Sequence, residues 1–213
     1  MKNTTPNIIS KYVIFYIKII KMTKNIKYCH KGDIMKYILA SASARRQELL
    51  KRIIKDFDIT ISCFDEDKVK FKGDVGQYVE EIALGKAKAI LNDVDNDSII
   101  ISADTVVSFK GEILGKPKDE EDAFRMLTML SGNTHEVYSG VCIINTKTNE
   151  ILNESFKTIV SFSEISDEDK LNYIKSGSPL DKAGAYGIQD EGGVFVEGIN
   201  GCFYNVVGLP LLI

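Results

Sequence analysis

The 213-residue chain has no tryptophan, only four prolines and two histidines, and no long uninterrupted apolar run. Each shortage excludes something. His30 and His135 are too few and too far apart for a histidine-based metal centre. Cys29, Cys63, Cys142 and Cys202 show no pairwise metal-ligand spacing and no disulfide framework, so they read as isolated thiols of a reducing, cytoplasmic compartment. Positive charge is not in excess: 27 Lys and Arg stand against 30 Asp and Glu, a formal net charge of -3. A broad basic surface for coating nucleic acid is thereby excluded, and any phosphate chemistry must come from a few locally placed cations. The most apolar stretch, Tyr12 to Ile20, is broken by Lys18 and falls short of the roughly 20 residues that span a bilayer. No small-residue cleavage site follows it, so neither a membrane span nor a signal peptide is expected. Residues 1–34 therefore read as an extension ahead of the domain, with Met35 as the better start.

What is present fits one globular domain, with 44% hydrophobic and 27% charged residues. Tyr37 to Ala40 reads as a short buried strand. Arg46 to Lys55 reads as a helix with Leu49, Leu50, Ile53 and Ile54 on one face. Ile59 to Cys63 forms a second predicted strand, followed by the acidic run Asp65, Glu66, Asp67. A longer helix over Gln77 to Leu91 carries an apolar stripe of Val79, Ile82, Ala83, Ile90 and Leu91, and Lys86 falls on that stripe. Ile99 to Ile101 is apolar without alternation, as in a central strand covered on both faces. Lys110-Gly111 predicts a tight hairpin, Asp119 caps a helix closed by Gly132, and Ser166 caps another. Val137 to Asn145 and Ile151 to Phe162 read as paired long strands, and Phe203 to Val207 as a final one. The mixture of strands and helices predicts an α/β or α+β fold around a mixed twisted sheet.

Several residues could carry chemistry. Ser41-Ala42-Ser43-Ala44-Arg45-Arg46 follows a strand and opens a helix, placing hydroxyls, free N–H groups and guanidiniums at a positive helix end. It suits phosphate, although a serine cap with surface arginines explains it equally well. It is not a Walker loop, because the Gly-Lys-Ser/Thr ending is absent. Asp104 comes just after the Ile99 to Ile101 run, near the end of a buried strand, where a carboxylate needs a partner. Residue 102 is Ser, so the pattern of an aspartyl-phosphate enzyme is not met. Lys86, on an inward helix face, must snorkel or meet an anion. Asp181 to Gln189 packs glycines and alanines between polar residues, a composition that serves either a tight turn or close approach to a ligand.

Together, Leu39 to Arg46, Ala103-Asp104-Thr105-Val106-Val107, Gly115-Lys116-Pro117, Asp181 to Gln189 and Val206-Val207-Gly208-Leu209-Pro210 resemble the Maf family, over Met35 to Pro210. The resemblance implies a two-lobed fold like that of the inosine triphosphate pyrophosphatases, with the domain over 35–213. It also implies release of pyrophosphate from a nucleoside triphosphate, which keeps non-standard nucleotides out of nucleic acids. Asp104 then stands as general base, Glu66 and Asp104 as ligands of Mg²⁺ or Mn²⁺, and Ser43, Arg46, Lys86 and Lys116 as phosphate binders. A carboxylate of ordinary acidity is a feeble base at neutral pH, so the metal must help to acidify the attacking water. Ala-Asp-Thr around the acid and a Gln after Tyr-Gly-Ile resemble the branch associated with dTTP and UTP, which assigns base selection to Arg45, Thr105 and Gln189. The resemblance names no nucleic-acid or membrane partner and is compatible with a homodimer. It also brings a rival reading, a nucleotide-binding regulator of septum formation, and implies a C-terminal helix beyond Ile213.

Overall fold

A computed structural model describes residues 35–211. The apolar cluster of Tyr12 to Ile20, and the suggested extension over 1–34, lie outside the described residues. The centre is a seven-stranded mixed sheet in the order β2-β1-β3-β5-β6-β7, with β4 hydrogen-bonded to β3 off that path. Strand β1 (Lys36–Leu39) lies between β2 (Asp58–Ile59) and β3 (Ser98–Phe109), parallel to both. β4 (Glu112–Leu114), β5 (Thr134–Asn145), β6 (Glu150–Phe162) and β7 (Val196–Asn200) each run antiparallel to the strand they join. The Lys110-Gly111 hairpin forms as its sequence predicts, with φ of 50° and 84° at the two turn residues.

Strand β3 organises the molecule. Its first residues are covered on both faces, as their unbroken apolarity predicts: Ile99, Ile101 and Ala103 pack toward one core cluster and Ile100 toward another. The first cluster is closed by Leu49 and Leu50 of helix α1 (Ala44–Lys51), and by Val207 of helix α5 (Phe203–Val207). The second is closed by Ala83 and Ala87 of helix α2 (Val75–Ala89). A third cluster lies under α3 (Glu120–Leu130) and α4 (Asp167–Lys175), where Met126, Leu127, Leu130, Tyr173 and Ile174 meet the far end of the sheet.

One edge of β3 carries β5 from Ile99 to Ser108. The other carries β1 only at Ser98 to Ile101 and β4 only at Val107 to Phe109. Residues 102–106 therefore have no ladder partner on that side, and the sheet forks there. A fork in a central strand exposes backbone and side chains from inside the sheet without breaking the core.

Three local expectations need correction. Asp104 is not near the end of its strand: β3 is twelve residues long, Ser98–Phe109, and runs on through Asp104. Its alternation is masked because Ser102 and Asp104 are polar yet face α2: Ser102 Oγ donates to Ala83 O at 2.6 Å. The predicted strand Ile59 to Cys63 shortens to Asp58–Ile59, because β1, its pairing partner, ends at Leu39, and Ile61 beyond it is 70% exposed. Phe203 to Val207 is a helical turn rather than a strand. There Gly208 N donates to Tyr204 O, and the Asn205 amide is anchored on Val137 O and Thr158 Oγ1, so tertiary contacts override the β-branched residues.

Helix α2 lies so close to the sheet that β5 needs a glycine beneath it. A Cβ on Gly140 would come within 2.2 Å of Val79 O and 2.8 Å of Glu80 N, both backbone atoms. We expect Gly140→Ala to destabilise by about 3 kcal/mol or more, because the helix must lift off the sheet. Thermal unfolding measures this, and an unchanged midpoint would show that the helix has freedom to move.

Candidate active site

The fork opens into a cleft of about 400 Å³. Asp104, only 6% exposed, projects from β3 toward α2. Its Oδ1 accepts from Lys86 Nζ at 2.8 Å, and the same ammonium lies 2.9 Å from Glu66 Oε1. Lys86 is thus the partner that a buried carboxylate requires, and its helical stripe turns it inward because the stripe faces β3 at Asp104. Glu66 reaches the site from a single 3-10 turn, Glu66–Lys68, capped by Asp65, whose carboxylate accepts from Asp67 N. The second oxygen of Asp104 has no hydrogen-bond partner among the described residues and is available to water in the cleft.

The cations come from the other walls. Ser43 caps α1, its Oγ accepting from Arg46 N at 3.4 Å, so the helix starts two residues earlier than the apolar periodicity suggests. Arg46 is held at all three nitrogens: Nε donates to Gly208 O at 2.9 Å, Nη1 to Ser41 Oγ at 3.4 Å and Nη2 to Thr105 Oγ1 at 3.2 Å. Desolvation lowers its pKa, while the nearby Asp104 carboxylate works the other way. Arg45 reaches across the cleft to Asp181, with Nη1 to Oδ2 at 2.8 Å and Nη2 to the backbone O at 3.2 Å. Burial acts against ionisation of Asp181, but hydrogen bonds from Lys182 and Arg45 outweigh it and hold the carboxyl below its usual range. Lys116 is exposed on the rim after β4 and makes no ion pair among the described residues. Gln189, also exposed, lines the same cleft on a loop tied to the sheet through Gly184 N and Gly115 O.

All the sequence-predicted residues therefore face one cavity: Asp104, Glu66, Lys86, Ser43, Arg46, Lys116, Arg45, Thr105 and Gln189. Thr105 faces the side of β3 opposite Asp104, and the open strand edge lets both reach the cleft. Sequence reasoning missed Tyr78, whose phenol is pushed up by burial and by the neighbouring Asp104 and Glu66 carboxylates. It also missed the pairing role of Asp181. His135 lies outside the cleft lining, buried against Phe162 and Tyr186, with Nε2 2.8 Å from the Tyr186 hydroxyl.

Burial lowers the pKa of His135 from 6.5 to about 4. A depressed histidine stabilises the fold above pH 6.5, and that contribution is lost as the pH falls from 6.5 toward 4, where the unfolded chain takes up the proton first. The interval amounts to about 3 kcal/mol at 1.36 kcal/mol per unit. Denaturant midpoints between pH 8 and pH 4 should fall over that window for the native chain and flatten for His135→Gln; parallel curves would contradict this.

Paired carboxylates on a shared ammonium, ringed by guanidiniums and an exposed lysine at a sheet fork, suit a polyphosphate anion. The chain belongs to the Maf family: the family model described as Maf-like protein matches residues 36–213. A dTTP/UTP pyrophosphatase of Clostridium beijerinckii is 64% identical over 177 residues, covering 83% of this chain and 94% of that protein. The protein of the same name from Clostridium novyi is 60% identical, with coverage of 83% and 93%. The structure of a HAM1 protein from Coxiella burnetii is more distantly similar, at a TM-score of 0.41 and 13% identity over 76% of this chain and 91% of that one. No helix among the described residues is long and apolar enough to cross a membrane.

Proposed function

We propose that this chain hydrolyses dTTP and UTP to the nucleoside monophosphate and pyrophosphate. The observation that carries the reading is the Glu66–Lys86–Asp104 cluster at the sheet fork, in a protein with close relatives named for that activity. Asp104 receives a proton from the attacking water through its unpartnered oxygen. Arg46 and Lys116 neutralise the charge that accumulates on the departing pyrophosphate, and Lys86 does the same from the α2 side. Ser43 keeps the first turn of α1, and with it Arg46, at the phosphate end. Gln189 offers a donor and an acceptor to a pyrimidine edge, and Arg45 and Thr105 stand beside it as the other base-selecting candidates.

The donor set suits a divalent cation, Mg²⁺ or Mn²⁺. Asp104 and Glu66 are hard oxygen ligands drawn together by one ammonium. The described residues contain no group of three or more His, Cys, Asp and Glu that could hold a metal, so Asp104 and Glu66 would hold such an ion together with phosphate and water oxygens, as is usual for Mg²⁺. When bound, such an ion supplies Lewis-acid activation of water and phosphate. A panel of dTTP, UTP, CTP, ITP and 7-methyl-GTP, assayed for pyrophosphate with each metal, tests the reading. Preference for dTTP and UTP is expected, and preference for either purine would overturn the pyrimidine assignment.

A further inference from the structure

Behind the cleft, a chain of buried hydroxyls runs from the guanidinium of Arg46 into the core. Thr105 Oγ1 lies 2.8 Å from Ser139 Oγ, its cross-strand partner on β5, and Ser139 Oγ donates to the backbone O of Asn205 at 3.0 Å. Ser139 and Asn205 are both fully buried. The Asn205 side chain is fixed in turn, its Nδ2 donating to Val137 O and Thr158 Oγ1, each at 3.1 Å. No other donor reaches the Asn205 carbonyl among the described residues, and a buried carbonyl needs one. That requirement commits the single hydroxyl proton of Ser139 to Asn205. Ser139 must then accept from Thr105, and Thr105, with its own proton spent, can only accept from Arg46. The direction of every bond is therefore fixed: Arg46 to Thr105, Thr105 to Ser139, Ser139 to Asn205.

We propose that Ser139 and Asn205 are positioning residues for the polyphosphate site, acting through Thr105 to aim Arg46. Of the five N–H donors of a guanidinium, three are taken by Gly208 O, Ser41 Oγ and Thr105 Oγ1. The remaining pair, one on each terminal nitrogen, is what Arg46 offers to an anion. With Arg46 tied at all three nitrogens, the plane of that pair is set before any ligand arrives, and binding orders little side-chain freedom. Loss of the Ser139 hydroxyl frees Thr105 to turn its proton toward Gly208 O, 3.4 Å away, where it competes with Arg46 Nε for the same carbonyl.

The inference rests on the proposed polyphosphate chemistry, so the test has one arm that does not depend on turnover. Ser139→Ala, Thr105→Val and Thr105→Ser are compared in native and Arg46→Ala backgrounds, by calorimetric binding of inorganic tripolyphosphate and by kcat/KM for UTP and CTP. Ser139→Ala and Thr105→Val should each weaken tripolyphosphate binding and lower kcat/KM about tenfold, and Ser139→Ala, which does not line the cleft, should leave the UTP to CTP ratio unchanged. Thr105→Ser, which keeps the hydroxyl, should bind tripolyphosphate within about twofold of native. Neither loss should add to that of Arg46→Ala. Losses that persist in full without Arg46, or a shift in the UTP to CTP ratio for Ser139→Ala with tripolyphosphate binding intact, would overturn the relay, as would native-like values throughout. If Ser139→Ala does not fold, the Thr105 pair decides alone. Should the native chain turn over neither nucleotide, the proposed function fails while the binding arm still judges the relay.

Discussion

Asp104→Asn should lower kcat for UTP by about 10³-fold while nucleotide still binds. The amide keeps the shape of the side chain and an oxygen for Lys86, so the cleft is preserved. What disappears is the capacity to take a proton and half of the carboxylate pair. The structural cost is contained because Glu66, 2.9 Å from the same ammonium, still neutralises Lys86. A stability loss of about 1–3 kcal/mol is expected for the weakened buried contact. Equilibrium binding of UTP and single-turnover hydrolysis separate the effects. Retained turnover would remove Asp104 from the chemistry, and lost binding would make it a structural residue.

Lys86→Met should act in opposite directions on two measurements. Removing a cation from the transition state is expected to lower kcat by about 10²–10³-fold. The same change leaves the Asp104 and Glu66 carboxylates with no ammonium between them, so Mn²⁺ binding without nucleotide should tighten. About tenfold is the scale of one unit charge at contact distance in a partly hydrated site. Methionine retains the apolar stem that packs beside Ile82 and Ala83 on α2. A fall in metal affinity would mean that Lys86 holds the carboxylates in place rather than competing with a cation for them.

Much of this site was legible because its residues break the pattern of the elements that carry them. Lys86 interrupts an apolar helical stripe, and Asp104 follows a fully apolar strand segment; each anomaly is resolved by the other at 2.8 Å. Arg46 was legible from its place in a strand-to-helix junction. The depth of Asp104 in the strand was not, because Ser102 and Asp104 look like a loop until α2 supplies Ala83 O and Lys86 as partners. The fork itself follows from where β1 ends and β4 begins, a long-range register that no local window contains. Asn205 carried a faint signal, a lone amide in the apolar run Phe203 to Val207, but its meaning depends on Val137, Ser139 and Thr158, distant in sequence. The predicted strand there failed for the same reason: propensity governs a five-residue segment only where tertiary contacts leave it free.

The septum-regulator reading draws nothing from this geometry, whereas the proposed hydrolysis draws on Asp104, Glu66, Lys86, Arg46 and Lys116. The central claim concerns which phosphoanhydride bond breaks, and ³¹P NMR of UTP turning over with Mg²⁺ tests it most directly. The account predicts resonances of UMP and pyrophosphate growing together in equal amounts, and abolished by Asp104→Asn. Appearance of UDP and orthophosphate instead would place the attack at the γ-phosphorus and contradict it.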